Sequence, residues 1–381
     1  MYVAENHGLA ENKPTLLIID DEAGPRDALK FILRPFFNIQ SAESASAAMD
    51  VLKSQSIDLI TLDQKLPDCQ GIELLLDIKR HHANAEVIII TGYGSLKSAM
   101  EGIRHGAAGY LLKPFNVTEL LSLVKQTAEK KQRLDFLRHF LRTSTDLWGS
   151  EADGAQAWKN LFTGYQAIVK PTPETASDSE SMPNQLLPLL SDLLEAKDRQ
   201  LLNHCSRVSF YATLLANRIN LTTAEQKALA LGAFLHDIGK IGPETYHFAE
   251  DEIAMDGNSV GNRLHPEMGG KLVLPLGLPA EVGQIIAYHH ERWDGSGYPY
   301  GLQEDGIPQL ARIVSLAQAF DHLTAELPGR TPLSIDDSCQ HMRAHAGTHF
   351  EPKLTELFTR VIQECKACLP AMATATTPAD Y

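Results

Sequence analysis

Five short apolar runs, separated by amphipathic stretches, constrain the first third of the chain more than any other feature. "LLIID", "FNIQSA", "IDLITLD", "EVIIIT" and "GYLLKP" all fall within residues 14–130, and the stretches between them carry apolar residues at helical spacing. A strand buried on both faces needs a continuous apolar run, and parallel neighbours need a crossover, usually a helix, between them. The pattern predicts a doubly wound α/β domain built on a five-stranded parallel sheet. A chain of 381 residues is longer than one such domain requires, so a second core is expected.

From about residue 117, "TELLSLVKQTAEKKQRLDFLRHFLRT" reads as one long helix leaving the first domain. The following "KPTPETASDSESMPNQ" is rich in Pro, Ser and acids and lacks the apolar area to order itself. Residues 131–185 are therefore assigned to a helical and disordered linker. From Leu186 to about Leu369, "LPLLSDLLEA", "SFYATLLANRI", "KALALGAFLHDIGK" and "LARIVSLAQAFDHLT" keep helical spacing, which predicts an all-α helical bundle over 186–369 and a disordered tail over 370–381. Five cysteines make no disulfide framework; the Cys365 and Cys368 pair has CxxC spacing but no second ligand pair, and reads as incidental helix residues.

Charge narrows the function. The net charge of −14 opposes non-specific binding to nucleic acid or to an anionic membrane, and no basic output domain is present to bind DNA. "MYVAENHGLA" lacks the basic start and apolar run of a signal peptide, and no apolar stretch is long enough to span a bilayer. A cytoplasmic protein with no nucleic-acid or membrane partner is expected.

In a parallel α/β sheet, ligands collect at the carboxyl ends of the strands. There the sequence offers Asp20 and Asp21, Asp63, Thr91, and Lys113 before Pro114. Three carboxylates on one edge repel each other unless a hard cation neutralises them, and Mg²⁺ prefers such an oxygen site. Asp63 would then attack a phosphoryl group, with Lys113 and the Thr91 hydroxyl meeting the phosphate oxygens. Residues 14–130, with "DQKLPDCQG" and the Lys-Pro pair, closely resemble the receiver domain of two-component response regulators. The resemblance implies phosphorylation of Asp63 by a cognate histidine kinase and Mg²⁺ held by Asp20, Asp21, Asp63 and the Gln64–Lys65 backbone. It also implies a switch in which Thr91 turns toward the phosphate and Tyr110 rotates inward.

In the second domain, "FLHDIGKIG" places His236 and Asp237 at the end of an apolar helix, followed by Lys240. A buried carboxylate beside an imidazole is costly without a cation. The same domain offers His204, His265 in "LHPEMGG", and the adjacent His289 and His290 in "HHERWDGSGYPYG". Imidazole with carboxylate suits Fe, Mn or Zn, and five histidines with a bridging Asp are enough for two metals. The order H, HD, H, HH and then GYP resembles the HD-GYP subfamily of the HD phosphohydrolases over about residues 186–365. That resemblance implies a metal-dependent phosphodiesterase that cleaves cyclic di-GMP, to the linear dinucleotide or to GMP, with two divalent transition metals, Fe or Mn, as cofactors. It makes His204, His236, Asp237, His265, His289 and His290 the ligands, Asp237 and Lys240 catalytic, and Lys240, Asp321 and Arg330 substrate-binding. Gly297, Tyr298 and Pro299 form a rigid adjoining loop that offers a surface to protein partners; a homodimer is compatible with the reading.

Departures from that pattern concern activity more than fold. In "AQAFDHLTA", Gln318 stands where relatives carry an aspartate ligand, with Asp321 at the second position; Gln200 replaces a glutamate four residues before the first histidine, and Leu327 replaces an arginine. A neutral amide oxygen binds a metal more weakly than a carboxylate. Two readings stay open: a phosphorylation-regulated phosphodiesterase, favoured by the intact histidines, and a catalytically weak or inactive nucleotide sensor or scaffold, favoured by Gln318 and Leu327.

Overall fold

A computed structural model describes residues 13–92, 96–144, 146–148, 151–169, 182–242, 263–326 and 331–366. The chain divides into two compact units, Met1–Arg133 and Leu134–Tyr381. In the first, β1 (Thr15–Ile19), β2 (Asn38–Ala42), β3 (Leu59–Leu62), β4 (Glu86–Thr91) and β5 (Gly109–Leu112) form one parallel sheet in the order β2-β1-β3-β4-β5. Between the strands run α1 (Ala23–Leu33), α2 (Ala45–Ser54), α3 (Gly71–His81) and α4 (Leu96–Arg104), and α5 (Val117–Thr143) follows β5.

Successive strand residues point to opposite faces, and each face has its own core. Leu17, Ile19, Ile60, Leu62, Val87 and Ile89 pack with Ala48 and Leu52 of α2 and Leu74, Leu75 and Ile78 of α3. Leu16, Ile18, Leu59, Ile88, Ile90 and Leu111 pack with Leu29 and Leu33 of α1 and Leu120 and Val124 of α5. Burial on both faces is why β1, β3 and β4 read as unbroken apolar runs, while the edge strand β2 is mostly half-buried. This is the expected doubly wound sheet.

The turn after β3 is held by backbone contact. Gly71 N donates to Gln64 O at 2.7 Å, and a Cβ at Gly71 would lie 2.5 Å from Asp63 O and 2.7 Å from Gln64 Cα. Both are main-chain atoms that cannot step aside alone. Gly71→Ala should therefore destabilise this unit by about 1–3 kcal/mol and displace the turn that carries Asp63. Denaturant unfolding checks it: an unchanged midpoint would show that the turn has room.

In the second unit, α6 (Glu151–Ile168), α7 (Met182–Lys197), α8 (Arg199–Ala216), α9 (Thr223–Leu235), α10 (His265–Val273), α11 (Ala280–Tyr288), α12 (Gln309–Thr324), α13 (Ile335–Ala344) and α14 (Pro352–Glu364) surround one core. The bundle is all-α, as expected. The stretch 131–185 is more than a linker, however. Leu134 and Leu137 from the end of α5, and Trp158, Leu161 and Tyr165 from α6, are buried in this core. Trp158 Nε1 donates to Leu272 O at 2.8 Å, and the Tyr165 hydroxyl donates to Asp192 Oδ2 at 2.7 Å. The physical reason is the i, i+3, i+7 apolar stripe of α6, which the adjacent Pro- and Ser-rich run outweighed in the sequence reading. Residues 170–181, Cys368 and the 370–381 tail lie outside the described residues; Cys365 is half-buried at the end of α14. Among the described residues, no helix is long and apolar enough to cross a membrane.

Candidate functional site

Strand register brings the polar residues of the first unit to one edge. Ile19 pairs with Leu62 and Thr91 with Leu112, so Asp20, Asp63 and Lys113 leave the sheet together, beside the end of β4. Lys113 Nζ donates to Asp20 Oδ2 at 2.7 Å and to Asp63 Oδ2 at 2.6 Å. Donor oxygens of Asp20, Asp21 and Asp63 all lie within 4.8 Å of one another, with Asp20 and Asp63 buried and Asp21 exposed. Burial disfavours the Lys113 charge, but hydrogen bonds to Asp20 and Asp63 outweigh it and raise the ammonium pKa above its ordinary value. Lys65 N reaches Asp63 Oδ1 at 3.3 Å. The second acid of "DQKLPDCQG", Asp68, stays out of this pocket: its carboxylate accepts from Ala45 N and Ser46 N, both at 2.9 Å, at the start of α2. Thr91 is fully buried, and the half-buried Tyr110 places its hydroxyl 3.2 Å from Ser98 Oγ on α4.

The second unit converges on Asp237. Helix α9 starts with a capping box between Thr222 and Glu225, buries Ala228, Leu229 and Ala233, and delivers His236 and Asp237 at its carboxyl end. A 3₁₀ turn, Ile238–Ile241, follows and packs directly on α10. At Gly239 any Cβ would run into His265 O and Gly269 N, so only glycine allows the approach that sets His265 beside Asp237. His289 and His290 come from the end of α11, and His204 from α8.

Asp237 is completely buried, and so are His236 and His265. His265 Nε2 lies 3.1 Å and His289 Nε2 3.7 Å from Asp237 Oδ1; His236 Nε2 lies 3.3 Å, His204 Nε2 3.5 Å and Lys240 Nζ 2.9 Å from Oδ2. Two donor groups result: Asp237, His265, His289 and His290, and His204, His236 and Asp237, with the ligand atoms of each within 4.8 Å. All six histidine and aspartate residues singled out in the sequence meet here.

The imidazoles are oriented from behind. His236 Nδ1 donates to Ala233 O and His289 Nδ1 to Ile286 O, each at 2.8 Å, while His204 Nδ1 donates to Asp321 Oδ2 at 2.8 Å. These bonds turn Nε2 of His204 and His236 toward Asp237, while His289 Nε2 lies 3.2 Å from His265 Nε2 and 3.7 Å from Asp237 Oδ1. Burial, reinforced by the neighbouring imidazoles, holds His289 and His290 well below the ordinary histidine pKa, so both are neutral. Burial opposes the Asp237 charge, but His236, Lys240 and His265 overcome it and hold its pKa well below the carboxylate range. Both Asp237 oxygens, His236 Nε2 and His290 Nε2 are nonetheless buried without a geometrically aligned hydrogen bond; the contacts on Asp237 are ion-pair approaches. Unpaired acceptors of this kind are what a divalent cation satisfies, so the residues fit a metal centre.

The GYP loop is built around the same histidines. The Tyr298 ring stacks on His290 at 4.7 Å and 15°, and Tyr298 N donates to His290 O at 3.2 Å. Gly297 lies against the backbone of residues 290–292, and the Tyr298–Pro299 bond is cis. Glu291, buried and unremarked in the sequence, accepts from Tyr300 N at 2.7 Å and Leu302 N at 2.9 Å, closing the loop.

Asp321 does not face an open substrate site. It is buried, and both its oxygens are taken by Arg207 and His204. Arg207 escaped notice in the sequence, although its i+3 spacing from His204 puts it on the same face of α8. Gln318 lies one turn before Asp321 on α12, its Oε1 buried without a hydrogen-bond partner. Gln200 is exposed, one turn before His204 on α8. Leu327 and Arg330 lie outside the described residues.

Residues 16–125 match the response regulator receiver domain, and residues 188–354 match the HD domain. The chain is 28% identical over 359 residues to a cyclic di-GMP phosphodiesterase of Thermotoga maritima, an alignment covering 92% of this chain and 91% of that one. It is 28% identical over 362 residues to a probable cyclic di-GMP phosphodiesterase of Vibrio cholerae, covering 90% and 77%. To the cyclic di-GMP phosphodiesterase response regulator RpfG of Xanthomonas campestris it is 26% identical over 360 residues, covering 91% and 87%. Sheet, helical bundle and these matches agree: the chain carries a response regulator receiver domain at residues 16–125 and an HD domain at residues 188–354.

Proposed function

We propose that the protein is a phosphorylation-regulated phosphodiesterase that hydrolyses cyclic di-GMP in its HD domain, under control of a receiver phosphorylated at Asp63. The observation that carries the reading is the position of Asp237, buried and shared between a four-donor and a three-donor group. Two divalent ions, Fe or Mn by the donor chemistry, would supply charge stabilisation to both the attacking and leaving oxygens of a phosphodiester. His204, His236, His265, His289 and His290 would hold that centre together with Asp237, which belongs to both donor groups. Lys240, at the edge of the cluster with its ammonium 2.9 Å from Asp237 Oδ2, is the cation that meets a phosphate oxygen as charge develops. The buried helix and loop contacts behind the histidines keep these donors in register before substrate arrives. The regulatory unit spans 14–130; the output unit spans 186–369 and is buttressed by residues 134–169.

In the receiver, Asp20, Asp21 and Asp63 would hold Mg²⁺. Asp63 accepts the phosphoryl group from a histidine kinase or small phosphodonor. Lys113, already bonded to Asp63, moves its bond to the phosphate, and Thr91 and Tyr110 convey the change.

The test is metal analysis of the purified protein with a cyclic di-GMP hydrolysis assay in Fe²⁺ and in Mn²⁺. Two bound ions and release of linear dinucleotide or GMP are expected. Nucleotide binding without turnover, with both ions in place, would overturn the enzyme reading in favour of a sensor. Gln318 is the residue behind that second reading: its buried Oε1 has no hydrogen-bond partner, and a neutral amide where relatives carry an aspartate would leave the centre poorer in charge. Gln318→Asp should tighten the weaker ion about tenfold and raise turnover. Metal titration checks this, and unchanged affinity for both ions would place Gln318 away from the centre.

A further inference from the structure

We infer that Arg207 is a positioning residue for the three-donor half of the centre, acting through Asp321 on His204; the inference rests on the two-metal reading above. Arg207 Nε donates to Asp321 Oδ1 at 2.5 Å and its Nη2 donates to Oδ2 at 2.9 Å, while His204 Nδ1 donates to the same Oδ2 at 2.8 Å. Asp321 is 1% exposed, so these donors are its environment.

The consequence for His204 follows from the two ring nitrogens. With Nδ1 held by Asp321, Nε2 is the atom turned toward the centre, 3.5 Å from Asp237 Oδ2. Without the guanidinium, Asp321 keeps one of its three side-chain donors. Its carboxylate is then free to rotate, and His204 loses its fixed direction. His236 and His289 are oriented by the backbone carbonyls of Ala233 and Ile286, which no side-chain change removes. Arg207 contacts the four-donor group nowhere in these bonds. Its influence is therefore confined to the ion held by His204, His236 and Asp237. The same geometry reassigns Asp321, which the family resemblance made a substrate contact, to holding His204.

The experiment is titration of metal-free, full-length protein with Mn²⁺, followed by calorimetry and by the electron paramagnetic resonance of bound Mn²⁺. In wild type, a stronger and a weaker binding event are expected. In Arg207→Gln the weaker event should lose about 10–100-fold in affinity while the stronger is unchanged. Arg207→Lys keeps the charge but lacks the two-pronged geometry, and should fall between the two. Should Arg207→Gln fail to fold, Arg207→Lys decides by the same pair of affinities. Equal weakening of both events, or no weakening of the second, would overturn the assignment while leaving two-metal binding intact. A single event in wild type would instead overturn the two-metal reading and this assignment with it.

Discussion

Asp237→Ala should abolish uptake of at least one of the two ions and reduce cyclic di-GMP hydrolysis by at least about 10²-fold, while the metal-free helical bundle still folds. The reasoning is geometric. Asp237 is the one residue present in both donor groups, and four imidazole Nε2 atoms lie 3.1 to 3.7 Å from its two oxygens. Deleting it leaves each group with imidazoles alone, which bring no charge to offset two divalent cations. The bundle tolerates the change because its core is built from the apolar faces of its helices. Elemental analysis and circular dichroism, measured on the same preparation, separate the two effects. Full metal content in a folded Asp237→Ala variant would mean that the buried aspartate is only an ion-pair partner of Lys240.

The second large effect is expected in the receiver. Asp63→Asn should eliminate phosphorylation by a small phosphodonor such as acetyl phosphate, because an amide cannot form an acyl phosphate. The side chain keeps its shape, so the change isolates chemistry from packing. Asp63 shares Lys113 with Asp20, and Asp20 retains that partner in the variant, so the strand ends should stay together. Intact-mass measurement after incubation with the donor and Mg²⁺ gives the answer. Stable phosphate on the Asp63→Asn protein would place the acceptor elsewhere.

How much of this was legible beforehand depends on how far along the chain the physics reaches. Strands β1, β3 and β4 are buried on both faces, and that alone writes continuous apolar runs such as "LLIID" and "EVIIIT" into the sequence. Because a parallel sheet brings the carboxyl ends of its strands to one edge, Asp20, Asp63, Thr91 and Lys113 could be grouped before any coordinates. His236 and Asp237 stood out for a similar local reason, a polar pair closing an apolar helix. Helix α6 was less legible. Its stripe of Trp158, Leu161 and Tyr165 is as local as the others, but a neighbouring run of Pro, Ser and acids masked it.

Composition, strand runs and the order of histidines determined the two folds and the type of candidate donor groups, because periodicity and donor type are properties of short segments. Only the tertiary structure decided that the candidate donors divide into groups of four and three around Asp237, and that Asp321 is bonded to His204 and Arg207. His204 and Asp321 stand 117 residues apart, and no spacing rule spans such a distance. The packing of α8 against α12 brings them to 2.8 Å. Arg207 acquires its role the same way: its charge is visible in the sequence, but a partner for it exists only once two helices bury a carboxylate that needs one.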